Sequence, residues 1–182
     1  MKRLLVAGSS ALLMVSLMAG SVAAAPNVKY RTFGSATVTQ GPAGTFTIVS
    51  DAIDPAVGGP EYGGVYLNSR SMSGKRIGRV TFSFTSSGDV TGGAPRFSIP
   101  INTDGKTNKV AFYAFLDVNG CGSPVVSTAS ASCTVYAGSE TFANWSAFAK
   151  AHPTYRIAPG KIPFIIADGS FGTFKVSDIV LR

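Results

Sequence analysis

Residues that could act as acids, bases or nucleophiles are sparse and scattered along this chain. The closest pair of acids is Asp51 and Asp54, in Asp-Ala-Ile-Asp-Pro, and the single histidine is His152. Glycoside hydrolysis needs two carboxylates that flank a bond, whereas Asp before Pro at this spacing is typical of a turn with an Asx hydrogen bond. The chain contains neither a Gly-x-Ser-x-Gly elbow nor a His-Glu-x-x-His motif. We therefore expect no catalytic activity.

The segment 102–108, Asn-Thr-Asp-Gly-Lys-Thr-Asn, carries oxygen-bearing side chains around a glycine. Asn102, Asp104 and Asn108 are spaced like the ligands of a calcium-binding loop. Asp104 is the only carboxylate among them, and Lys106 adds positive charge, so a calcium site here would be weak. An ordinary hairpin turn is the alternative, because Asn, Asp and Gly favour turns.

Cys121 and Cys133 are the only cysteines, and they flank a segment rich in Gly, Ser and Pro. Redox catalysis usually requires Cys-x-x-Cys, and two cysteines with one histidine cannot complete a structural zinc site. We expect a disulfide between them, which requires an oxidising compartment.

The N-terminal residues have the three parts of a secretory signal peptide. Lys2 and Arg3 precede an apolar run, and Ala23-Ala24-Ala25 forms a small-residue cleavage site. We predict that residues 1–25 are removed and that residues 26–182 form one exported domain without a membrane span. The protein is then secreted or associated with the cell surface.

Composition excludes several classes of protein. Charged residues make up 14% of the chain and hydrophobic residues 45%, which excludes a disordered tail or a charged coiled coil. The net charge is +7, but Lys75, Arg76 and Arg79 form the only dense basic cluster, and no aromatic residue is interleaved with them. We expect no nucleic-acid binding and only a weak attraction to acidic polymers.

The mature chain is dominated by patterns typical of β-strands. Val80, Phe82 and Phe84 alternate with polar residues, as expected for a half-buried strand. Short strands separated by Gly, Pro, Asn and Asp turns indicate an antiparallel β-sandwich or barrel. The strand 97–101 contains Pro100, which predicts that the strand lies at a sheet edge or ends early.

Two segments and one helix depart from simple alternation. Residues 110–116 and 162–167 are apolar on both faces, which predicts that each is covered on both sides. Residues 140–151 place Phe142, Trp145 and Phe148 at helical spacing. We predict one short α-helix there, capped by Ser139 or Thr141 and stopped by His152-Pro153, which could cover one of the two segments.

Two stretches carry a resemblance to known modules. Residues 73–84, Ser-Gly-Lys-Arg-Ile-Gly-Arg-Val-Thr-Phe-Ser-Phe, and residues 172–181, Gly-Thr-Phe-Lys-Val-Ser-Asp-Ile-Val-Leu, resemble strands of jelly-roll, galactose-binding-like carbohydrate-binding modules. The resemblance implies a jelly-roll β-sandwich, and a structural calcium to which Asp178 would be a ligand. Residues 93–101 and 164–168 are similar to uncharacterised secreted bacterial proteins.

We therefore expect a non-catalytic extracellular binding module that takes a carbohydrate, as part of an extracellular glycan or cell-surface polymer. Exposed rings would stack on the sugar and polar side chains would hold its hydroxyls. The candidates are Tyr62, Tyr66, Tyr113 and Tyr136, with Asn68 and Arg70 as polar partners. The alternative for each tyrosine is a half-buried position with its hydroxyl in water.

Two other functions stay open. A structural or surface-interaction protein of the cell envelope would expose an apolar patch to a protein partner. A small secreted hydrolase would bring Asp51, Asp54, Asp117 or Asp168 together with His152.

Overall fold

The computed structural model describes residues 29–68 and 71–182. The predicted signal peptide and Arg70 lie outside the described residues. In the described ranges, the helices are too short or too polar to cross a membrane. Two 3-10 helices, Pro42–Gly44 and Ile77–Arg79, accompany the α-helices α1 (Val118–Cys121) and α2 (Trp145–Ala151).

The strands are numbered along the described chain. They are Lys29–Gly34 (β1), Thr37–Gln40 (β2), Phe46–Ser50 (β3), Ile53–Asp54 (β4), Gly59–Pro60 (β5), Gly63–Asn68 (β6), Phe82–Gly88 (β7), Arg96–Asn102 (β8), Phe112–Asp117 (β9), Val125–Ser127 (β10), Val135–Ala137 (β11), Glu140–Phe142 (β12), Arg156–Ile157 (β13), Phe164–Ala167 (β14) and Gly172–Leu181 (β15).

The strands form two main antiparallel sheets and a small hairpin of β4 and β5. The larger sheet has the order β1-β6-β14-β8-β9-β11-β12, with β13 also beside β8, and the smaller has the order β10-β7-β15-β3-β2. Eight strands form two facing layers, β3-β15-β7-β10 and β6-β14-β8-β9. Along the chain these eight strands change sheet at every connection except that between β8 and β9. This is the double Greek-key order of a jelly roll. The predicted antiparallel β-sandwich is confirmed.

Aromatic rings from both sheets meet in the core. Phe82 and Phe84 of β7 are fully buried, while the alternating Ser83 and Thr85 are half-buried. The ring of Phe97, on β8 in the other sheet, lies 5.7 Å from that of Phe82 and 4.9 Å from that of Phe84. Burial of each such side chain contributes roughly 1.5–3 kcal/mol, so contacts of this kind hold the sheets together.

The expectation that Pro100 places its strand at an edge is wrong, because β8 lies between β14 and β9. The neighbour of β8 changes along its length, with β14 opposite 96–98 and β13 opposite 101–102. Pro100 lies where one neighbour replaces the other, and its carbonyl accepts the N–H of Ala158 at 2.9 Å. A proline fits there because no ladder hydrogen bond requires its missing N–H.

The predicted helix exists but begins later than expected. Residues 140–142 form β12, and Asn144, not Ser139 or Thr141, is the N-cap of α2. The side-chain oxygen of Asn144 accepts the N–H of Ala147 at 2.9 Å, which satisfies one free donor of the first turn. The helix packs against the 3-10 helix Ile77–Arg79 and against β12.

The connecting segments cluster at two opposite ends of the sandwich. Residues 51–62, 89–95 and 168–171 lie at one end, where Ser50 pairs with Gly172. Residues 71–81 and 103–111 lie at the other end, where β15 finishes beside the start of β7.

The predicted disulfide between Cys121 and Cys133 is confirmed, and both residues are buried. Cys121 ends α1, which Asp117 caps by accepting the N–H of Gly120. The bond therefore ties the end of β9 to the segment that leads into β11.

We expect the double variant Cys121→Ala/Cys133→Ala to lose roughly 3 kcal/mol of unfolding free energy, because the open loop restores chain entropy to the unfolded state. Urea unfolding followed by circular dichroism measures the change. Reducing agent should destabilise the wild type and leave the double variant unaffected. A double variant as stable as the oxidised wild type would contradict this role.

Candidate functional site

The outer face of the larger sheet carries aromatic side chains that no second layer of the described chain covers. On β9, Ala114 and Leu116 point into the core, whereas Tyr113 is 37% exposed. On β14, Phe164 and Ile166 are half-buried outside. The expectation that residues 110–116 and 162–167 are covered on both sides is therefore wrong. The outward side chains of β9 and β14 are partly covered by neighbouring rings on the same face and not by α2.

The register of the sheet aligns six outward side chains in one row across six strands. In order from the β1 edge, this row contains Arg31, Tyr66, Phe164, Ser98, Phe115 and Tyr136. Cross-strand neighbours on one face lie about 4.5–5.5 Å apart at Cβ, close enough for large side chains to touch.

Two rings outside this row, Phe33 and Tyr113, contact rings within it. The ring of Phe33 lies 4.4 Å from that of Tyr66 and 5.5 Å from that of Phe164. The ring of Tyr113 contacts Phe164 edge-on at 5.5 Å. We call the surface formed by Phe33, Tyr66, Tyr113, Phe115, Tyr136 and Phe164 the aromatic face. Edge-to-face packing of this kind favours fixed ring positions.

Charged groups lie directly among these rings. The guanidinium of Arg31 sits 5.2 Å from the ring centre of Tyr66, and that of Arg96 sits 5.0 Å from that of Phe115. Arg96 also donates to Asp168 at 2.7 Å, and each of these two side chains is about a quarter exposed. The aromatic face thus offers flat apolar surfaces beside hydrogen-bonding groups that reach solvent.

Some polar atoms beside the aromatic face lack a hydrogen-bond partner within the described part of the chain. They are Ser98 Oγ, Arg96 Nε and Asp168 Oδ1, all of them buried. Buried polar groups without partners cost free energy, and native proteins hold few of them.

The predicted ligand-binding residues are divided between this face and other places. Tyr66, Tyr113 and Tyr136 belong to the aromatic face, and Tyr136 is 40% exposed. Asn68 is exposed at the end of β6, two positions beyond Tyr66 and so on the same side of the strand. Tyr62 is half-buried in the turn before β6, where its carbonyl accepts the N–H of Ala36. Arg70 is outside the described residues.

The sequence prediction missed Phe33, Phe115 and Phe164 as members of this face, together with Arg31 and Arg96. Alternation places Phe115 on the same side of β9 as Tyr113. The sequence carried that signal, but only the strand order brings β1, β6 and β14 next to one another.

The predicted calcium loop is closed by its own hydrogen bonds. Asp104 Oδ1 accepts the backbone N–H groups of Lys106 (2.9 Å) and Thr107 (3.0 Å) and the side-chain amide of Asn102 (2.9 Å). Asp104 Oδ2 accepts the hydroxyl of Thr107 at 2.8 Å. These donors, the Lys106 N–H foremost, hold the pKa of Asp104 well below its ordinary value. The geometry is that of the alternative, a hairpin turn.

The remaining predicted calcium ligands, Asn108 and Asp178, lie in different parts of the fold. Asn108 is exposed at the end of the loop. Asp178 lies on β15 in the smaller sheet, where it accepts the hydroxyl of Ser177 at 3.0 Å. Across residues 29–68 and 71–182, no group of three or more His, Cys, Asp or Glu side chains could hold a metal ion.

Three of the four acids considered for a hydrolase have another partner, and the fourth, Asp51, is exposed. Asp54 accepts the N–H of Ala56 at 2.8 Å, as in an Asx turn, and a hydrogen bond from Ser35 together with that N–H lowers its pKa. Asp168 pairs with Arg96, and Asp117 caps α1.

His152 lies at the C-cap of α2, away from these acids. Its ring stacks on Tyr155 at 4.3 Å and contacts Glu140 at 3.1 Å. Neither Asp117 nor Asp168 joins it in the described structure, so the convergence that a hydrolase requires is not formed by these residues.

Comparison with known proteins adds little. No family model and no curated protein matches the chain. Among solved structures it is similar to the binding domain of botulinum neurotoxin DC, solved in complex with rat synaptotagmin II, at 12% identity and a TM-score of 0.24. The match covers 82% of this chain and 43% of that chain, so this chain spans less than half of it. A similarity this low supports no conclusion about ligand or partner.

We expect Asp104→Asn to destabilise the protein at neutral pH and to have little effect in acid. The folded pKa of Asp104 is lowered, so its stabilising contribution is present above the unfolded pKa of about 4 and is lost as pH falls below it. Urea unfolding of wild type and variant at both pH values measures the difference.

The exposed Asp51→Asn serves as the matched control. Because hydrogen-bond donors of the protein already occupy the carboxylate of Asp104, the wild type should have the same melting temperature in calcium chloride as in EDTA. A rise in melting temperature with calcium in the wild type, absent from Asp104→Asn, would contradict this account of the loop.

Proposed function

We propose that the protein is a secreted, non-catalytic binding module whose ligand is the carbohydrate of an extracellular glycan or cell-surface polymer. The observation that carries the proposal is the aromatic face, a set of packed rings with an ion pair among them on an uncovered sheet. The predicted signal peptide and the disulfide support export to an oxidising compartment.

The chemistry of the aromatic face suits a pyranose. One face of such a sugar is a surface of C–H groups that stacks on a flat ring, and its hydroxyls need polar partners around the rim. Tyr113 and Tyr136 offer the most exposed rings. The guanidinium of Arg96 lies against the ring of Phe115 and pairs with Asp168, so these two residues provide a donor and an acceptor beside the rings.

The buried polar atoms beside the aromatic face favour a polar ligand over an apolar one. Ser98 Oγ, Arg96 Nε and Asp168 Oδ1 gain hydrogen bonds if small ring movements admit a sugar hydroxyl or its water. An apolar ligand would leave these atoms without partners.

The absence of catalysis is part of the proposal. Asp54, Asp104 and Asp117 hold turns or a helix end, and Asp168 holds Arg96. Each carboxylate thus has a structural hydrogen bond that accounts for its position.

We expect Tyr113→Ala and Tyr136→Ala each to weaken glycan binding by roughly 3- to 10-fold, as loss of an aromatic contact of about 0.5–1.5 kcal/mol implies. A glycan array identifies the ligand, and isothermal titration measures its affinity. Phe171→Ala is the matched control, because this ring is 50% exposed at one end of the sandwich and off the aromatic face.

Circular dichroism establishes that each variant is folded. Folded wild-type protein that binds no glycan on the array would overturn the proposal. Equal loss of affinity in Phe171→Ala and the tyrosine variants would remove the aromatic face as the binding site.

A second candidate function is that of a surface-interaction protein of the cell envelope, and a specific observation favours it. Exposed apolar side chains gather at the end of the sandwich formed by residues 51–62, 89–95 and 168–171, which we call the apolar end. They are Ile53, Val57, Val90 and Phe171. Exposed apolar patches of several hundred square ångströms commonly mark protein contacts.

If the apolar end is a protein contact, Phe171→Ser should reduce self-association or partner capture and leave glycan binding unchanged. Analytical ultracentrifugation across a range of concentrations measures self-association. Tyr113→Ser serves as the control on the aromatic face. A monomer at every concentration, with no envelope protein retained, would contradict this second candidate.

A further inference from the structure

Among the residues that the structure describes, those lining a groove at the other end of the sandwich include four cations and no carboxylate. Its lining residues are Ser73, Gly74, Lys75, Arg76, Arg79 and Arg156, and we call it the basic groove. In the described part of the chain the ion pairs are Arg96 with Asp168 and His152 with Glu140, and both lie elsewhere. The four cations of the basic groove have no acidic partner there.

The backbone forces two of these cations into direct opposition. Arg76 and Arg156 are partners in an antiparallel bridge, which the hydrogen bond from Ile157 N–H to the Lys75 carbonyl (2.9 Å) helps to hold. Like charges directly opposite each other on paired strands repel and destabilise the fold. No carboxylate of the described chain pairs with either arginine, so this repulsion has no ionic compensation there.

Packing fixes the backbone that carries these cations, while the side chains of Lys75, Arg76 and Arg79 are exposed. Ile77 is fully buried, and its carbonyl accepts the indole N–H of buried Trp145 at 2.9 Å. Arg79 closes the same 3-10 helix. Arg156 donates to the carbonyl of Gly74 at 2.9 Å, which holds its guanidinium against the groove wall.

We infer that the basic groove binds the anionic groups of an acidic polysaccharide. The planar guanidinium of arginine presents paired N–H groups that match the oxygens of a carboxylate or a sulfate ester. A bound anion offsets the repulsion between Arg76 and Arg156 and has Lys75 and Arg79 as further partners. This site does not depend on the aromatic face, and it goes beyond the proposed function.

Nucleic acid fits the basic groove less well than an acidic polysaccharide does. No aromatic ring lines the groove, so unpaired bases would find no stacking surface there. Four clustered cations are also fewer than the extended basic stripe of a nucleic-acid-binding surface. An acidic polysaccharide needs only charge matching to anionic groups that repeat along its chain.

The test measures binding of the purified protein to dextran sulfate, polygalacturonate, uncharged dextran and random-sequence DNA by biolayer interferometry at several salt concentrations. Dextran sulfate carries sulfate esters and polygalacturonate carries carboxylates, so comparing the two shows which anionic group the groove binds. We expect at least one of them to bind, more weakly as salt rises, and Lys75→Gln/Arg79→Gln to lose roughly tenfold or more in affinity. The matched control Lys29→Gln/Lys175→Gln removes the same charge from exposed strand positions on β1 and β15 and should bind like the wild type.

Thermal unfolding gives a second readout. Without ligand, Arg76→Gln should melt above the wild type because the repulsion with Arg156 is removed, and the bound acidic polymer should raise the melting temperature of the wild type. Equal losses in both double variants, DNA binding as tight as that of the acidic polymers, or no binding of either acidic polymer would overturn the inference. Glycan binding by Tyr113→Ala tests the aromatic face, and salt-sensitive acidic-polymer binding by Lys75→Gln/Arg79→Gln tests the basic groove, so the failure of either proposal is distinguishable from the failure of the other.

Discussion

The contact between the inner faces of the two sheets is the constraint on which the rest of the structure depends. Phe82 and Phe84 from one sheet close on Phe97 from the other, and this apolar layer fixes which side of every strand faces inward. Because side chains alternate along a strand, burial of one face determines the composition of the opposite face. The outward row of aromatic residues is therefore a consequence of how the core is packed.

An outward face this rich in rings is unusual for a sheet in contact with water. The rings shield one another, and guanidinium groups lie against them, so part of each apolar surface is covered without a second layer. Tyr113 and Tyr136 stay more exposed than the rings between them. The surface is thus apolar on its ring faces and polar where the guanidinium groups lie against them.

The jelly-roll order also separates different chemistries in space. The loops at one end expose Val57 and Phe171, whereas the opposite end holds Arg76 against Arg156. Strand connections that cross between sheets bring segments distant in sequence to the same end, which is how residue 156 reaches residue 76. The aromatic face, the apolar end and the basic groove are three separate surfaces of the sandwich, and they differ in the side chains that they expose.

The sequence by itself determined what depends on local pattern. Strict alternation around Phe82 predicted an inward face, a cysteine pair in a short loop predicted the disulfide, and Asn-x-Asp-Gly was compatible with the turn that forms. Only the tertiary structure decided the neighbours of each strand. It placed Pro100 inside a sheet, where a change of neighbour removes the need for its N–H, and it started α2 at Trp145 because residues 140–142 pair as a strand. The cluster of Lys75, Arg76 and Arg79 and the alternation of Tyr113 with Phe115 are local signals. The placement of Arg156 opposite Arg76, and of β1, β6 and β14 next to one another, depends on strand order and register between residues far apart in the chain.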